Sequence, residues 1–250
     1  MVFTDLDGTL LDHDTYDWAP ACPALAALRA AQVPIVPVSS KTLAELRPWC
    51  AEIGIEGPVI AENGAVVAFP GEAPQIAAPS YAAIRTLLRD LRRRRQWRFT
   101  GFGDMTGAEV TAVTGLSAQE AARALLREAT EPLLWRDSEA NLRLFEAQLA
   151  QRGLQLLRGG RFLHVLGDAD KGSALRAVVA RLDPGATSVA LGDSPNDRAM
   201  LLDADVPIVI RRKHDGHMPL PERPAARYTA DAGPTGWNRA ILDLLAHDEA

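Results

Sequence analysis

Short apolar runs alternate with stretches of helical periodicity along the first quarter of the chain. Val2-Phe3 opens a buried strand, residues 33–38 predict a second strand, and residues 59–61 predict a third. Between them, apolar residues at helical spacing predict helices over 23–31 and 43–53. This order of strand, helix, strand, helix, strand is typical of an α/β fold with a parallel sheet.

A hairpin signal follows the third predicted strand. Asn63-Gly64 lies between the apolar pairs Val59-Ile60 and Val66-Val67. Asn-Gly between two apolar runs is a strong sign of a tight turn between antiparallel strands. We therefore expect the chain to turn back on itself at this point.

The middle of the chain has a different pattern. Helical periodicity covers residues 80–95 and 138–152, and Ser117 with Glu120 fits the capping box that opens a helix. Strand-like pieces lie at 133–135, 154–157 and 162–165. These elements predict a separate α+β module.

The α/β pattern resumes after residue 170. Helices are predicted over 172–182, 197–204 and 237–246, and strands over 188–191 and 206–210. The fold class is therefore α/β, with one core built from residues 1–78 and 168–250. Residues 79–167 are predicted to form a domain inserted into that core.

Composition excludes several classes of protein. The 250 residues are 47% apolar and 24% charged, and the net charge of −5 argues against a general nucleic-acid binder. Charge begins at Asp5, before any apolar stretch typical of a signal peptide, and no apolar run approaches the roughly 20 residues of a membrane span. Cys22 and Cys50 form no disulfide or zinc pattern. We expect a soluble cytoplasmic protein with no nucleic-acid or membrane partner.

Polar residues follow the ends of the predicted parallel strands. These are Asp5 and Asp7, Ser39 to Lys41, and Asp193 to Asp197, while Lys171 precedes a helix. Sites in such sheets form at the carboxyl ends of the strands, so these residues should meet. Lysine is otherwise rare: besides Lys41 and Lys171 the chain has only Lys213. Lysine at the predicted site suggests a need for a compact ammonium group.

These residues suit phosphoryl transfer. Asp5 and Asp193 can hold a hard divalent cation such as Mg²⁺, and Asp5 can act as a nucleophile that takes up a phosphoryl group. Asp7 can protonate the leaving oxygen and later activate water. Lys171 can neutralise the phosphoryl oxygens, and Ser39 with nearby backbone N–H groups can donate hydrogen bonds to them.

The motifs that carry this chemistry resemble those of the haloacid dehalogenase superfamily. Residues 5–11 read Asp-Leu-Asp-Gly-Thr-Leu-Leu and match its first motif, and Ser39 fits the second. Lys171 in Asp170-Lys-Gly172 fits the third motif, and residues 192–197 fit the fourth. The resemblance implies a Rossmann-like core with an inserted α/β cap that selects the substrate.

A narrower resemblance, to mannosyl-3-phosphoglycerate phosphatases, rests on four segments. They are Tyr16-Asp-Trp18, Ser39-Ser-Lys-Thr42, Ala61-Glu-Asn-Gly-Ala65 and Glu131-Pro-Leu-Leu-Trp135. Most relatives with this cap carry Thr-Gly-Arg where this chain has Ser39-Ser40-Lys41. That family hydrolyses a small phosphorylated, glycosylated glycerate in the presence of Mg²⁺, giving mannosylglycerate, a compatible solute, and phosphate.

The resemblance implies a role for each matching residue. Asp5 is the nucleophile, Asp7 is the general acid and base, and Asp5, Asp193 and the backbone carbonyl of Asp7 are metal ligands. Phosphate or substrate is bound by Ser39, Ser40, Lys171 and Asn196, with Asp197 behind them orienting Lys171 or a metal-bound water.

Other residues keep two interpretations. In the cap, Arg161 and His164 can meet the substrate's carboxylate or sugar, or belong to the packed strand region. Lys41 is equally compatible with the site and with the surface. Asp12 and Asp14 are expected to be loop residues, and Arg92 to Arg95 a solvated helix end.

The activity and assembly also have alternatives. Another sugar-phosphate phosphatase, for example one acting on glucosyl-3-phosphoglycerate, or a phosphomutase fits the same motifs. A regulatory module that accepts a phosphoryl group uses similar residues, although Asp7 and the insertion suit turnover better. The chain is expected to be a monomer or a homodimer.

Overall fold

The computed structural model describes residues 1–159 and 161–248, and its elements follow in chain order. The strands are β1 (Val2–Thr4), β2 (Ile35–Pro37), β3 (Val59–Ala61), β4 (Val66–Ala68), β5 (Gln75–Ile76), β6 (Phe99–Gly101), β7 (Thr130–Trp135), β8 (Gln155–Arg158), β9 (Leu163–Leu166), β10 (Val189–Gly192), β11 (Val206–Arg211) and β12 (Arg227–Ala232). The helices are α1 (Cys22–Ala30), α2 (Leu43–Ile53), α3 (Tyr81–Arg95), α4 (Gly107–Thr114), α5 (Ala118–Ala124), α6 (Glu139–Ala150), α7 (Lys171–Leu182), α8 (Arg198–Asp203) and α9 (Gly233–Asp248).

A parallel sheet of order β12-β11-β10-β1-β2 confirms the predicted α/β fold. Phe3 in β1 pairs with Val36 on one side and Ala190 on the other, and it is fully buried. Helices cover both faces, so the central strands read as continuous apolar runs. One apolar cluster includes Leu25 and Trp237, and a second includes Val36, Leu175 and Met200.

The predicted hairpin is confirmed beside the parallel sheet. β3 and β4 are antiparallel, and β5 extends them on the far side of β4. A parallel bridge between Val38 and Ile60 joins β3 to the end of β2. The turn contains Glu62, Asn63 and Gly64, all with positive φ. The turn therefore presents its side chains beside the loop that follows β2.

Besides the parallel sheet and the small sheet β3-β4-β5, residues 99–166 form a four-stranded antiparallel sheet of order β6-β7-β9-β8, called the second sheet below. It has its own apolar core, in which Trp97, Phe99 and Trp135 pack around Phe145. Aromatic side chains bury large areas, so this cluster accounts for much of the sheet's stability. The predicted capping box of α5 is present, since Ser117 Oγ accepts from the backbone N–H of Glu120.

Several elements differ from the pattern-based expectation. The sequence pattern indicates no element at β5, β6, α4 or β12. β5 and β6 are short, and α4 contains Gly107 and several β-branched residues that disfavour helices. The helix expected from residue 197 begins with a 3₁₀ turn over Pro195–Asp197. α9 begins at Gly233, before the expected Trp237, since Pro234 fits the first turn of a helix.

The hairpin turn and the second sheet are joined by the buried carboxylate of Glu62. It accepts hydrogen bonds from the backbone N–H groups of Glu128, Ala129 and Thr130 and from the Thr130 hydroxyl, at 2.7–3.1 Å. A carboxylate removed from water needs hydrogen-bond donors or a cation to offset the loss of hydration. Glu62 therefore fixes the chain just before β7.

Replacing Glu62 with alanine is expected to destabilise the fold. Four donors would lose their acceptor inside the protein, and we expect the free energy of unfolding to fall by about 3 kcal/mol. Urea unfolding followed by circular dichroism measures this change. The matched control is Glu52→Ala in α2, where an exposed carboxylate accepts one bond from the Trp18 indole. An equal, small change in both variants would contradict a structural role for Glu62.

Candidate active site

The strand ends bring the polar motifs together, as expected for a parallel sheet. Asp5 directly follows β1, Ser39 lies two residues after β2, and Asp193 directly follows β10. Lys171 is the first residue of α7. All four side chains are buried. Up to 188 residues separate these groups in the sequence, and the order of the strands in the sheet brings them together.

Lys171 lies between two carboxylates at the base of the site. Its Nζ donates to Asp5 Oδ1 at 2.7 Å and to Asp197 Oδ1 at 2.6 Å. Burial opposes the charged ammonium, but the charges of Asp197 and Asp5 outweigh it and raise the pKa of Lys171. Lys171 is therefore a fixed cation beneath Asp5.

Asp197 forms the back of the same cluster. Its Oδ2 accepts from the backbone N–H groups of Asp193 and Ser194 at 3.1 and 2.9 Å. Its other oxygen holds Lys171. The side chain is fully buried, so it orients the loop after β10 and the ammonium of Lys171 without being exposed.

Three carboxylates lie close enough to share a cation. One oxygen each of Asp5, Asp193 and Asp197 lies within 4.8 Å of the others. Burial and the neighbouring Asp197 raise the pKa of Asp5 well above its usual range, and the same causes raise the pKa of Asp193 to about 7. A second positive charge would relieve this repulsion, so the donor set fits a hard divalent cation. The carboxylate of Asp7 lies outside this cluster.

Glycine is required at position 8 because the loop after β1 lies against the side chain of Asp193. Its φ is +83°, in the left-handed region, and a Cβ atom at this position would lie 3.0 Å from Asp193 Oδ2. Only glycine adopts this conformation without strain and leaves room for the carboxylate. Thr9 then donates from Oγ1 to Asp193 Oδ1 at 3.1 Å.

Asp7 is held by Lys41, which settles the two interpretations of that lysine in favour of the site. Lys41 Nζ lies 2.7 Å from Asp7 Oδ2 and 5.3 Å from the centre of the Tyr16 ring. Tyr16 in turn stacks on Trp49 at 6.1 Å. Burial disfavours the ammonium, yet the charge of Asp7 raises the pKa of Lys41. Asp7 Oδ1 has no hydrogen-bond partner among the described residues.

The loop after β2 and the hairpin turn lie against each other. Ser39 accepts at its carbonyl from Asn63 N at 2.9 Å, and Lys41 accepts from Glu62 N at 2.9 Å. Asn196 Nδ2 donates to Asn63 Oδ1 at 3.1 Å. The structure thus brings Ser39, Asn63 and Asn196 to one side of the cluster.

A cavity of about 310 Å³ opens over these residues and beneath the second sheet. From the parallel sheet's side it is lined by Asp5, Asp7, Ser40, Lys41, Asp193 and Asn196. From the other side it is lined by Phe102, Arg127, Arg161, Phe162 and His164. The cavity therefore has carboxylates and Lys41 on one wall, and apolar and basic groups on the other.

Both candidate residues of the predicted cap, Arg161 and His164, line this cavity, but their surroundings differ. His164 in β9 is buried, and burial together with the charges of Arg127 and Lys171 lowers its pKa to about 3. It is therefore a neutral imidazole. Arg161 is exposed and donates to the backbone carbonyls of Val113 and Thr114.

Residues assigned to loops and helix ends have local partners. Asp12 Oδ1 accepts from the N–H groups of Asp14 and Thr15 and from the Thr15 hydroxyl, and these bonds lower its pKa to about 2. Arg93 and Arg94 are solvated and pair with Asp90. These contacts fit a loop role for Asp12 and a solvated helix end at Arg93 and Arg94, whereas Arg92 is half-buried and pairs with Asp104.

Sequence reasoning missed two groups at the site. Arg127 lies in the short connection between α5 and β7, where no motif or periodicity marks it. Glu62 was noted only as part of a motif. Its position after an apolar strand and beside Asn63-Gly64 is typical of a turn residue, and burial of a turn carboxylate has no sequence signal.

Comparisons with known proteins show which family this chain resembles. Residues 2–93 match the family described as haloacid dehalogenase-like hydrolase. A curated relative from Methanococcoides burtonii, named glucosyl-3-phosphoglycerate/mannosyl-3-phosphoglycerate phosphatase, is 37% identical over 98% of this chain and 97% of its own length.

Solved structures share the fold at lower sequence identity. Protein 0175 of Thermoplasma acidophilum has a TM-score of 0.74 and 15% identity, covering 98% of this chain and 97% of its own. A phosphatase of the same enzyme superfamily from Bacteroides thetaiotaomicron, BT1666, has a TM-score of 0.72 and 18% identity, covering 98% and 93%. No helix of the described residues is long and apolar enough to cross a membrane.

Proposed function

The chain belongs to the haloacid dehalogenase-like hydrolases and is a phosphatase, and from that premise we propose that it hydrolyses a glycosyl-3-phosphoglycerate through a phosphoryl group carried on Asp5. The observation that supports this most directly is the pair Asp5 and Asp7 on one wall of the cavity. Asp5 contacts Lys171 and Asp7 contacts Lys41, so the two carboxylates have different surroundings. Different surroundings suit two different chemical roles.

The first half of the reaction transfers the phosphoryl group to Asp5. A carboxylate oxygen of Asp5 attacks phosphorus, and the bond between phosphorus and the ester oxygen breaks. Asp7 gives a proton to the departing oxygen, which leaves as an alcohol. Lys171 neutralises charge beneath the transferred group, and Ser39, Ser40 and Asn196 orient its oxygens.

The second half releases phosphate. Asp7, now ionised, takes a proton from a water molecule that attacks phosphorus. The bond from phosphorus to the Asp5 oxygen breaks, and the carboxylate is restored. Lys41 holds Asp7 at one oxygen and leaves the other for proton transfer.

We propose that Mg²⁺ is held by Asp5, Asp193 and the backbone carbonyl of Asp7, with Asp197 behind them. When bound, it supplies positive charge to the phosphoryl oxygens and offsets the carboxylates' repulsion. Asp197 also lies within the carboxylate cluster, so a direct bond from its side chain would compete with its contacts to Lys171 and the loop after β10.

Residues 79–167 are proposed to act as a cap on a core formed by 1–78 and 168–250. This segment provides one wall of the cavity, including Phe102 and Phe162, whose rings lie 5.0 Å apart. A cap that closes over the site excludes water during transfer to Asp5 and selects the organic part of the substrate. A cytoplasmic location, and a monomeric or homodimeric state, remain predictions.

The proposed substrate is a small phosphorylated glycerate that carries a glucosyl or mannosyl group. The relative that matches nearly the whole chain is named for both sugars. The basic side chains Arg127 and Arg161 on the cap wall suit an acidic substrate. Hydrolysis would give the glycosylglycerate and phosphate.

A phosphate-release assay over a substrate panel tests this assignment. The panel contains glucosyl- and mannosyl-3-phosphoglycerate, 3-phosphoglycerate and glucose 6-phosphate. We expect kcat/KM for at least one glycosylated compound to exceed that for the other two by about 100-fold, because a missing group leaves polar residues unpaired. Similar values for all four would reject the narrow assignment and leave a general phosphatase.

Phosphate balance separates the remaining alternatives. A phosphomutase would move phosphate to a second sugar position and release little. A regulatory module would keep its phosphoryl group for hours, whereas a phosphatase discharges it in each cycle. The relative that matches nearly the whole chain is named as a phosphatase, which disfavours both alternatives, and steady release of free phosphate is the expected result.

A further inference from the structure

The basic side chains at the cavity differ in what they contact. Lys171 and Lys41 are each held by carboxylates of the site. Arg161 is exposed and donates to backbone carbonyls. Arg127 is distinct, since its side chain is only 4% exposed and its Nε has no hydrogen-bond partner among the described residues.

Arg127 is nevertheless firmly positioned. Its Nη1 donates to the carbonyl of Ser40 at 3.0 Å and to Thr130 Oγ1 at 2.8 Å. The nearest carboxylate oxygen, Glu62 Oε2, lies 3.9 Å from Nη1, beyond hydrogen-bond distance. The Glu62 oxygens already accept from the N–H groups of residues 128–130. Arg127 is thus anchored at one nitrogen while its Nε is left unsatisfied.

The neighbouring polar group on the same wall is also unsatisfied. His164 Nδ1 is buried without a partner among the described residues. Two buried polar atoms that lack partners in one cavity point to a ligand that supplies them, because leaving such atoms unpaired is costly. At Arg127 this ligand must accept a hydrogen bond and carry negative charge, whereas His164 Nδ1 donates or accepts according to its tautomer.

We propose that Arg127 binds the carboxylate of the substrate, so that the site selects phosphate esters of hydroxy acids over phosphate esters of neutral polyols or sugars. This rests on the proposed function, whose substrate carries two anionic groups, a phosphoryl group and a carboxylate. Each group is assigned to a different part of the cavity. The phosphoryl group lies against Asp5, where Lys171 already provides positive charge. The carboxylate then meets the planar fork of Arg127, which matches its geometry.

The position of Arg127 explains how it would distinguish a substrate with a carboxylate from one without. It bonds to the carbonyl of Ser40, in the loop that is proposed to bind phosphate, while its own segment leads directly into β7 of the cap. A carboxylate at Arg127 therefore lies beside the phosphate site. An ester that carries a hydroxymethyl group instead would leave Arg127 Nε buried without a charged acceptor, and would be bound poorly.

Two matched substrates test this proposal. One is glucosyl-3-phosphoglycerate, and the other is the same compound with its carboxylate replaced by a hydroxymethyl group. The ratio of their kcat/KM values is measured for the wild type, Arg127→Met and Arg127→Lys. We expect the wild type to favour the acid and the methionine variant to lose about 50-fold of that ratio, the size expected for a charged hydrogen bond. Lysine should restore part of it.

Because both substrates are measured on the same enzyme, the ratio of their kcat/KM values reports recognition of the carboxylate. Poor folding or a general loss of activity would lower both values alike. The control is Arg94→Met, which removes an exposed arginine of α3 that pairs with Asp90 outside the cavity, and it should keep the wild-type ratio. If Arg127→Met folds poorly, the lysine variant alone decides, with a lowered ratio expected.

Two results would overturn the proposal. If the wild-type ratio persists in both Arg127 variants, or if the wild type hydrolyses the two esters equally well, Arg127 does not read the carboxylate while the phosphatase assignment stands. If the wild type releases phosphate from neither ester, the proposed function fails and this inference fails with it.

Discussion

Asp5→Asn is expected to reduce phosphate release by roughly 10⁴-fold or more, since an amide oxygen cannot take up the phosphoryl group as a carboxylate does. The change keeps the size of the side chain, so the cavity remains intact. The measurement is kcat with the best substrate of the panel, under conditions that saturate the wild-type enzyme.

The loss of activity should occur without loss of stability. Asp5 lies with Asp193 and Asp197 in a cluster that has only Lys171 as its buried cation among the described residues. Removing one negative charge reduces the repulsion, and Lys171 keeps Asp197 as its partner. We expect the thermal midpoint of the variant to be at most a few degrees below that of the wild type.

A surface control distinguishes a catalytic effect from a general effect of lost charge. Asp90→Asn removes an exposed carboxylate of α3 that pairs with Arg93 and Arg94. It should retain wild-type turnover. Wild-type turnover in Asp5→Asn would instead show that Asp5 is not the nucleophile.

Removal of divalent metal is expected to lower turnover by about 1,000-fold. Several kcal/mol of transition-state stabilisation come from a cation in such a site, and a loss of about 4 kcal/mol corresponds to this factor. The assay compares enzyme dialysed against excess EDTA with the same enzyme after Mg²⁺ is returned. Activity should recover on addition.

The chelator needs its own control. EDTA that has been saturated with Mg²⁺ beforehand should leave turnover unchanged, because it no longer removes the ion. Undiminished turnover in excess free EDTA would exclude a metal from the mechanism. In that case, Lys171 alone would balance the negative charges of Asp5 and Asp193.

The core of the site could be predicted from sequence because its parts follow apolar strands. Asp5 and Asp193 each come directly after a buried strand, and the parallel order of the sheet places both at one edge. The helix of Lys171 starts at the same edge. Local pattern and sheet topology therefore determine these positions together.

The wall of the cavity on the side of the antiparallel sheet β6-β7-β9-β8 could not be predicted in the same way. Arg127 lies in an irregular connection, and its burial depends on Glu62 and Ser40, which are far away in sequence. α4 was missed because its local composition disfavours helix, and it packs against α5 through Val110. Long-range contacts decide such segments, and no short-range pattern records them.

The central claim, a phosphoryl group carried on Asp5, is tested most directly by trapping it. The wild-type enzyme is mixed with glucosyl-3-phosphoglycerate, quenched in acid during turnover, reduced with borohydride and analysed by tandem mass spectrometry. We predict that Asp5 is converted to homoserine, the product of a reduced acyl phosphate. Modification of a different residue, or an unmodified Asp5 in enzyme that is releasing phosphate, would contradict the account.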